Sequence, residues 1–333
     1  MRGALTLSLL GFLLFASCGY VGPVLPPSPQ LPNAVTGLVA IQRGGDILIA
    51  FQTPPRTTDS LPVKSLSSID LRVGPEVPPS PFDFNRWAAS ARQYPVPAPS
   101  LGDPHDPQPA AVSTTIPASD WEGRRVVVAV RTAVKKGEDH YSAWSNRITL
   151  NVITPLSPPV ITAEATAKGV LLHWPAAAGV KYRVSRQGPT ETAPAEVGIA
   201  EQGSYLDASS QFDIKYTYTV VALRETAESL ASEPVSITPI DKFAPSVPAG
   251  LTALVGPGSI ELSWQRSPES DLAGYYVYRS VNNSPLQRLG SMTNLPLYSD
   301  HAVEAGKAYR YQVSAVDKKN NESDKSPPAE ATF

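Results

Sequence analysis

The sequence predicts an all-β chain of tandem sandwich modules behind an export signal and a proline-rich tether. Three observations lead there. Apolar and polar residues alternate with a period of two in many short runs, such as Ile260, Leu262 and Trp264, which is the pattern of strands with one buried face. The same set of residues returns about ninety positions apart, so one unit is used more than once. Finally, 35 prolines and 22 glycines in 333 residues favour short strands and turns over helices.

The chain begins Met1-Arg2-Gly3, continues with an apolar segment over residues 4–15, and then reaches Ala16-Ser17-Cys18. This is the order of an export signal over residues 1–17: charged start, apolar stretch, small residues. As a helix, residues 4–16 reach about 20 Å, short of a hydrocarbon core of about 30 Å, so the segment itself is no anchor. The end of the signal resembles the lipobox of bacterial lipoproteins, with Phe15 where that family usually has Leu. The resemblance implies that the Cys18 thiol is lipidated and becomes the new N-terminus. Several acyl chains, at about 0.8 kcal/mol per buried CH₂, would attach the protein permanently to a membrane. Gly19 is not the Asp that marks inner-membrane retention in such lipoproteins, so the expected place is the outer membrane of a bacterial cell envelope. Residues 18–32, rich in proline, read as an extended polyproline tether.

Composition excludes several classes. Lys and Arg number 28 against 30 Asp and Glu, a net charge of −2, which offers no basic field for nucleic acid. With one cysteine there is no internal disulfide, so each module depends on its own core.

The last module, residues 241–333, is the clearest. Ile260, Leu262 and Trp264 form one alternating run; Tyr275, Val277 and Arg279 a second; Tyr298-Ser299-Asp300 follows, then Tyr309, Tyr311, Val313 and Ala315. Residues 155–240 repeat it with Val170, Leu172, Trp174; Tyr182, Val184, Arg186; Tyr205-Leu206-Asp207; and Tyr216, Tyr218, Val220, Ala222. Tyr182 to Tyr216 and Tyr275 to Tyr309 both span 34 positions, and Tyr205 to Tyr216 and Tyr298 to Tyr309 both span 11. At these residues the chain resembles fibronectin type III domains, immunoglobulin-like sandwiches of seven strands with a core Trp on the second strand and a corner Tyr opening the sixth. The resemblance makes Trp174 and Trp264 core residues and Tyr216 and Tyr309 corner tyrosines. Prolines at 155–159 and 245–248 mark the joints.

Residues 33–154 form a more divergent copy. Ile47, Ile49 and Phe51 stand at the Trp strand, with Phe51 in place of Trp; Ile69, Leu71 and Val73 fit the third strand; Val126, Val128, Val130 and Thr132 fit the sixth, with Val126 in place of the corner Tyr. The extra length falls in the loop after Phe51 and between Ile69 and Val126, where a proline-rich insertion carries Phe82, Phe84, Trp87 and Tyr94.

Those four aromatics are the first candidate binding residues, since aromatics on a loop often anchor a partner. The competing reading folds them over an exposed sheet edge. Trp144, in Tyr141-Ser142-Ala143-Trp144-Ser145-Asn146, is the second candidate. It resembles half of the Trp-Ser box of cytokine-receptor modules, and Arg125 and Arg131 alternate outward to meet it in a cation–π ladder; the competing and favoured reading is a surface ladder that only stabilises the sheet. The charged loop over residues 317–325 occupies a place that often carries recognition in this family; it reads as a solvated turn, and no Arg-Gly-Asp is present.

No catalytic or metal-ligating pattern is found: the histidines at 105, 140, 173 and 301 are scattered, and no nucleophile elbow or phosphate loop occurs. Asp300 beside His301 resembles part of a triad, but Asp207 holds the same place without a His, so both aspartates read as turn residues. The expected protein is a non-enzymatic, cofactor-free envelope lipoprotein, held to the membrane through Cys18 and acting as a spacer or as a scaffold for a protein or glycan. Two alternatives stand beside it: an accessory polysaccharide-binding or secretion-associated subunit of an enzyme system, and a soluble secreted adhesion-type protein.

Overall fold

The computed structural model describes residues 30–76, 82–135 and 140–333; Cys18 and the signal lie outside them. Two compact units divide between Thr154 and Pro155. Among the described residues no helix is long and apolar enough to cross a membrane.

The first unit runs β1 (Val39–Arg43), β2 (Asp46–Gln52), β3 (Ser68–Pro75), α1 (Phe84–Ser90), β4 (Arg92–Pro95), β5 (Ala111–Pro117), β6 (Arg125–Ala133) and β7 (Ile148–Asn151). Strands β1-β2-β5 form one sheet and β4-β3-β6-β7 the other, all paired antiparallel. Alternation decides which faces meet. Ile47, Ile49 and Phe51 of β2 pack against Leu71 and Val73 of β3 and Val126, Val128 and Val130 of β6. Strand β6 departs from simple alternation, because Val127 and Ala129 on its other face are fully buried as well. Something covers that face, and it is α1.

The second unit holds two further sandwiches with separate cores. One comprises β8 (Thr162–Thr166), β9 (Gly169–His173), β10 (Lys181–Gln187), β11 (Ala195–Ala200), β12 (Ser204–Asp207), β13 (Tyr216–Arg224), β14 (Ala227–Glu228) and β15 (Val235–Ile237). Its sheets are β8-β9-β12 and β11-β10-β13-β15, with β14 folded back on β13. The other comprises β16 (Thr252–Gly256), β17 (Ser259–Ser263), β18 (Leu272–Val281), β19 (Gln287–Thr293), β20 (Leu297–Asp300), β21 (Ala308–Asp317) and β22 (Ala329–Thr332), arranged β16-β17-β20 and β19-β18-β21-β22. All three sandwiches therefore pair a three-stranded sheet with a four-stranded one.

The repeat seen in sequence extends to single atoms. Trp174 lies 5.3 Å from the Tyr182 ring, and Trp264 lies 5.2 Å from Tyr275. The hydroxyl of Tyr216 accepts from the Gln211 amide at 3.2 Å, and that of Tyr309 from the Glu304 amide at 2.7 Å, which fixes the chain entering each sixth strand. Asp207 and Asp300 accept turn amides from Ser209 and Ala302, both at 3.0 Å. They do more than close turns, for each is buried and holds two other side chains. Asp207 accepts from Tyr218 and Arg186, both at 2.8 Å; Asp300 accepts from Tyr311 at 2.7 Å and Arg279 at 2.8 Å. Removing these carboxylates from water is offset only by such charge-assisted bonds.

A serine pair three residues apart before each last strand is a second shared device, one that periodicity does not show. The hydroxyls of Ser142 and Ser145, Ser229 and Ser232, and Ser323 and Ser326 accept amides of the sixth strand at 2.9–3.2 Å. The same serines donate their own amides to carbonyls of that strand. Side chains thereby satisfy a strand where no backbone ladder runs.

Candidate functional site

The insertion of the first sandwich does form secondary structure. Asp83 caps α1 by accepting from the Asn85 amide at 2.9 Å and the Arg86 amide at 3.1 Å. The helix lies on the outer face of the four-stranded sheet, where Trp87, Ala88 and Ala91 pack with Val127 and Ala129. It covers a face and not a sheet edge, because the apolar outward residues are on the central strand β6. Close contact at β3 is possible only because Gly74 has no side chain: a Cβ there would stand 2.7 Å from the Ala91 Cβ.

Phe82, Phe84, Trp87 and Trp144 come together over this helix. Phe84 stacks on Trp144 with centroids 6.2 Å apart and planes 9° apart, and Trp87 meets Trp144 edge-on at 6.0 Å. Phe82 stands 5.0 Å from Phe84. Arginines close the set. Arg131 lies 4.6 Å from the Trp144 ring and 4.3 Å from Tyr141, and Arg147 lies 4.7 Å from Phe82. Buried Asp70 accepts from both Arg131 and Arg72 at 2.9 Å, and Arg72 reaches the Ala88 carbonyl at the end of the helix. Arg125, expected in this ladder, pairs with Glu76 instead. Chemically the cluster is a small second core: its rings contact one another and its cations, and Trp87 is only 2% exposed.

Tyr94 parts from the other three. It belongs to β4 and faces the main core, where its hydroxyl donates to Asp120 and accepts from the Trp121 indole, both at 2.9 Å. Burial first, and then the bond to Asp120, push the Tyr94 hydroxyl above its ordinary pKa. Trp121, to which no sequence pattern points, completes this core from the turn before β6.

The charged loop after β21 is not a free turn. Buried Asp317 accepts from the amides of Lys319 at 2.7 Å and Asn321 at 2.8 Å, and from the Asn321 side chain at 2.8 Å. The loop then reaches the preceding sandwich and its connector: Lys319 donates to Asp213 at 2.6 Å and Asn321 to the Asp241 carbonyl at 3.3 Å. Beside them Phe212 and Phe243 lie 6.2 Å apart, and the Asp213 amide donates to the Pro239 carbonyl at 2.8 Å. Carboxylate oxygens of Asp241, Asp271 and Asp317 approach within 4.8 Å of one another here. Those of Asp317 already have the donors named. His301 likewise gains no triad, since Asp300 is held by Arg279 and Tyr311.

Fold and surfaces together define a chain of tandem fibronectin type III-like sandwiches. No protein-family profile matches it. Over 187 residues, 51% of the chain, it is 33% identical to Exoglucanase B of Cellulomonas fimi, of which it covers 16%. Over 87 residues, 26% of the chain, it is 37% identical to Amylopullulanase of Thermoanaerobacterium saccharolyticum, of which it covers 7%. The chain thus spans only a small part of the length of these relatives. Among solved structures, the FN1–FN3 domains of chicken CNTN1 align with 90% of this chain and 98% of their own at 17% identity and a TM-score of 0.28. An Fn3-like protein from Clostridium thermocellum aligns with 26% of this chain and 92% of its own at 30% identity and a TM-score of 0.24.

Proposed function

We propose that the chain is a non-catalytic scaffold of a bacterial cell envelope, anchored through lipid on Cys18, that holds a stiff pair of sandwiches away from the outer membrane and works beside enzymes acting on polysaccharides. The observation that carries the reading is the loop after β21. That loop often carries recognition in proteins of this architecture, but here Lys319 ties it to Asp213 of the preceding sandwich and Asn321 ties it to the connector at Asp241. A joint closed by an aromatic pair, an ion pair and two backbone-directed bonds limits bending, which a spacer needs and a mobile adhesin does not. The polysaccharide side rests on the relatives, whose names are those of glucan-degrading enzymes, each matched over a short stretch of its length.

Pulsed electron resonance tests the joint. Spin labels on exposed Glu164 and Glu330, one on each sandwich of the second unit, should give one narrow distance distribution that broadens in Phe243→Ala. A broad distribution in the unaltered chain refutes the stiff spacer. For the anchor, Cys18→Ala should move the protein out of the membrane fraction, and unchanged fractionation removes that part of the reading.

A further inference from the structure

With the aromatic cluster of the first sandwich packed and the last loop held in a joint, the outer face of β19-β18-β21-β22 is the aromatic surface left open. Period two on β18 sends Tyr275 and Val277 into the core and Tyr276 and Tyr278 outward, about 7 Å apart along the strand. Tyr276 pairs in register with Ser314 and Tyr278 with Gln312, so small and polar neighbours leave both rings partly exposed. The guanidinium of Arg288 sits 4.3 Å from the Tyr276 ring centre, and the ammonium of Lys325 sits 4.6 Å from that of Tyr278.

Charge on this face is unbalanced. Among the described residues neither Arg288 nor Lys325 has a carboxylate in ion-pair range, whereas Arg310 stands 3.9 Å from Glu330. The nearby acid, Glu322, accepts from the Tyr278 hydroxyl and from Ser314; burial raises its carboxyl pKa, but those bonds and the charges of Lys325 and Arg288 hold it below its ordinary value, so one acid at longer range stands against the two cations. The same face differs in the other sandwiches: α1 and Trp144 cover it in the first, and in the second Arg183 is held by buried Glu228.

We infer that this face binds an acidic polysaccharide, with the Tyr276 and Tyr278 rings packing against sugar rings and Arg288 and Lys325 taking the carboxylates. Exposed cation–π contacts are weak, so both cations can leave their rings for a carboxylate, which they bind through charge-assisted hydrogen bonds. As the ligand displaces them, the ring faces they covered become available for the sugar. This inference rests on the polysaccharide side of the function proposed above and adds the ligand's charge and the site.

Affinity electrophoresis of the full chain tests it, with alginate as the acidic glycan, a neutral β-glucan, and polyglutamate as a polyanion without sugar rings. Retardation by alginate is expected, falling with added salt. It should drop at least about tenfold in Arg288→Gln/Lys325→Gln and also in Tyr276→Ala, with polyglutamate giving much less. A circular-dichroism melt checks that each variant remains folded, and Tyr276→Phe, which keeps the ring, should bind as the unaltered chain does. Alginate binding unchanged in the variants, or equal binding of polyglutamate, overturns the inference. Retardation by the β-glucan alone overturns it while sparing the polysaccharide reading, and no retardation by either glycan overturns both.

Discussion

Replacing Trp87 by alanine separates a structural cluster from a binding one. The side chain is 2% exposed, and a tryptophan buries roughly 200 Å². At about 25 cal/mol per Å² this is roughly 5 kcal/mol, an upper bound because unfolded chains already bury part of the same surface. One correction has the opposite sign. The buried Trp87 indole N–H has no hydrogen-bond partner, a penalty of about 1 to 3 kcal/mol that alanine relieves. The net expectation is a loss of about 2 to 4 kcal/mol, a large share of the roughly 5 to 15 kcal/mol that stabilises a domain. Hydrogen exchange read by mass spectrometry on the full chain places the effect. Protection should fall in β3 and β6, whose outer face loses its cover, and hold in the two later sandwiches. Trp87→Phe keeps a ring and drops the unpaired N–H, so it should stay within about 1 kcal/mol of the unaltered chain. Protection of β6 that falls by less than about 1 kcal/mol in Trp87→Ala would refute the packed-core account and return these aromatics to the binding candidates.

Three further outcomes follow from the same geometry. Gly74→Ala sets a methyl 2.7 Å from the Ala91 Cβ and 2.9 Å from its Cα, so overpacking should lower the stability of the first sandwich by about 1 to 3 kcal/mol; an unchanged melting midpoint would show that α1 lifts freely. Trp264→Ala should weaken the last sandwich by about 3 to 5 kcal/mol and leave the first intact, and a loss under about 1 kcal/mol would mean that its core lies elsewhere. Burial raises the Asp207 carboxyl pKa, but hydrogen bonds from Ser209, Tyr218 and Arg186 outweigh it and hold the group below its ordinary value. A depressed folded pKa stabilises above the unfolded value of about 4 and loses that contribution as the pH falls through the folded one, so the middle sandwich should weaken below about pH 4. Asp207→Asn should remove that part of the acid slope, and an identical slope in a melt series from pH 7 to 2 would disprove it.

What was legible in the sequence was whatever a strand's alternation records. Trp174, Trp264, Tyr216 and Tyr309 stood out because a buried face repeats every second residue and the copies keep equal spacings. Phe51 and Val126 were placed by alternation alone. The helix α1 was hidden because seven residues make too few turns to show a period; the available signals were Asp83 as its cap and the apolar Val127 and Ala129 on the wrong face of β6. Trp121 lay in a short loop and had no pattern to announce it. The serine pairs leave no strand period, and their bonds join positions 7 to 15 residues apart on segments that make no ladder. The Lys319–Asp213 contact spans 106 positions, and only folding brings those loops together.

Outer faces and loops are where these sandwiches are free to differ, since each core demands the same inward residues. The first sandwich fills its outer face with a helix and a stack of rings, and the last commits its loop to a joint. Both arrangements add rigidity and remove surface from recognition. Tyr276 runs against that trend: its ring is partly exposed, its hydroxyl makes no hydrogen bond among the described residues, and its one ring contact there is an arginine with no carboxylate in ion-pair range. A spacer alone gains nothing there that threonine would not supply, because threonine also favours an exposed strand and exposes less apolar surface. On the function proposed above, the joint and the open tyrosine face are complementary parts, one fixing where the surface stands and the other giving it something to hold.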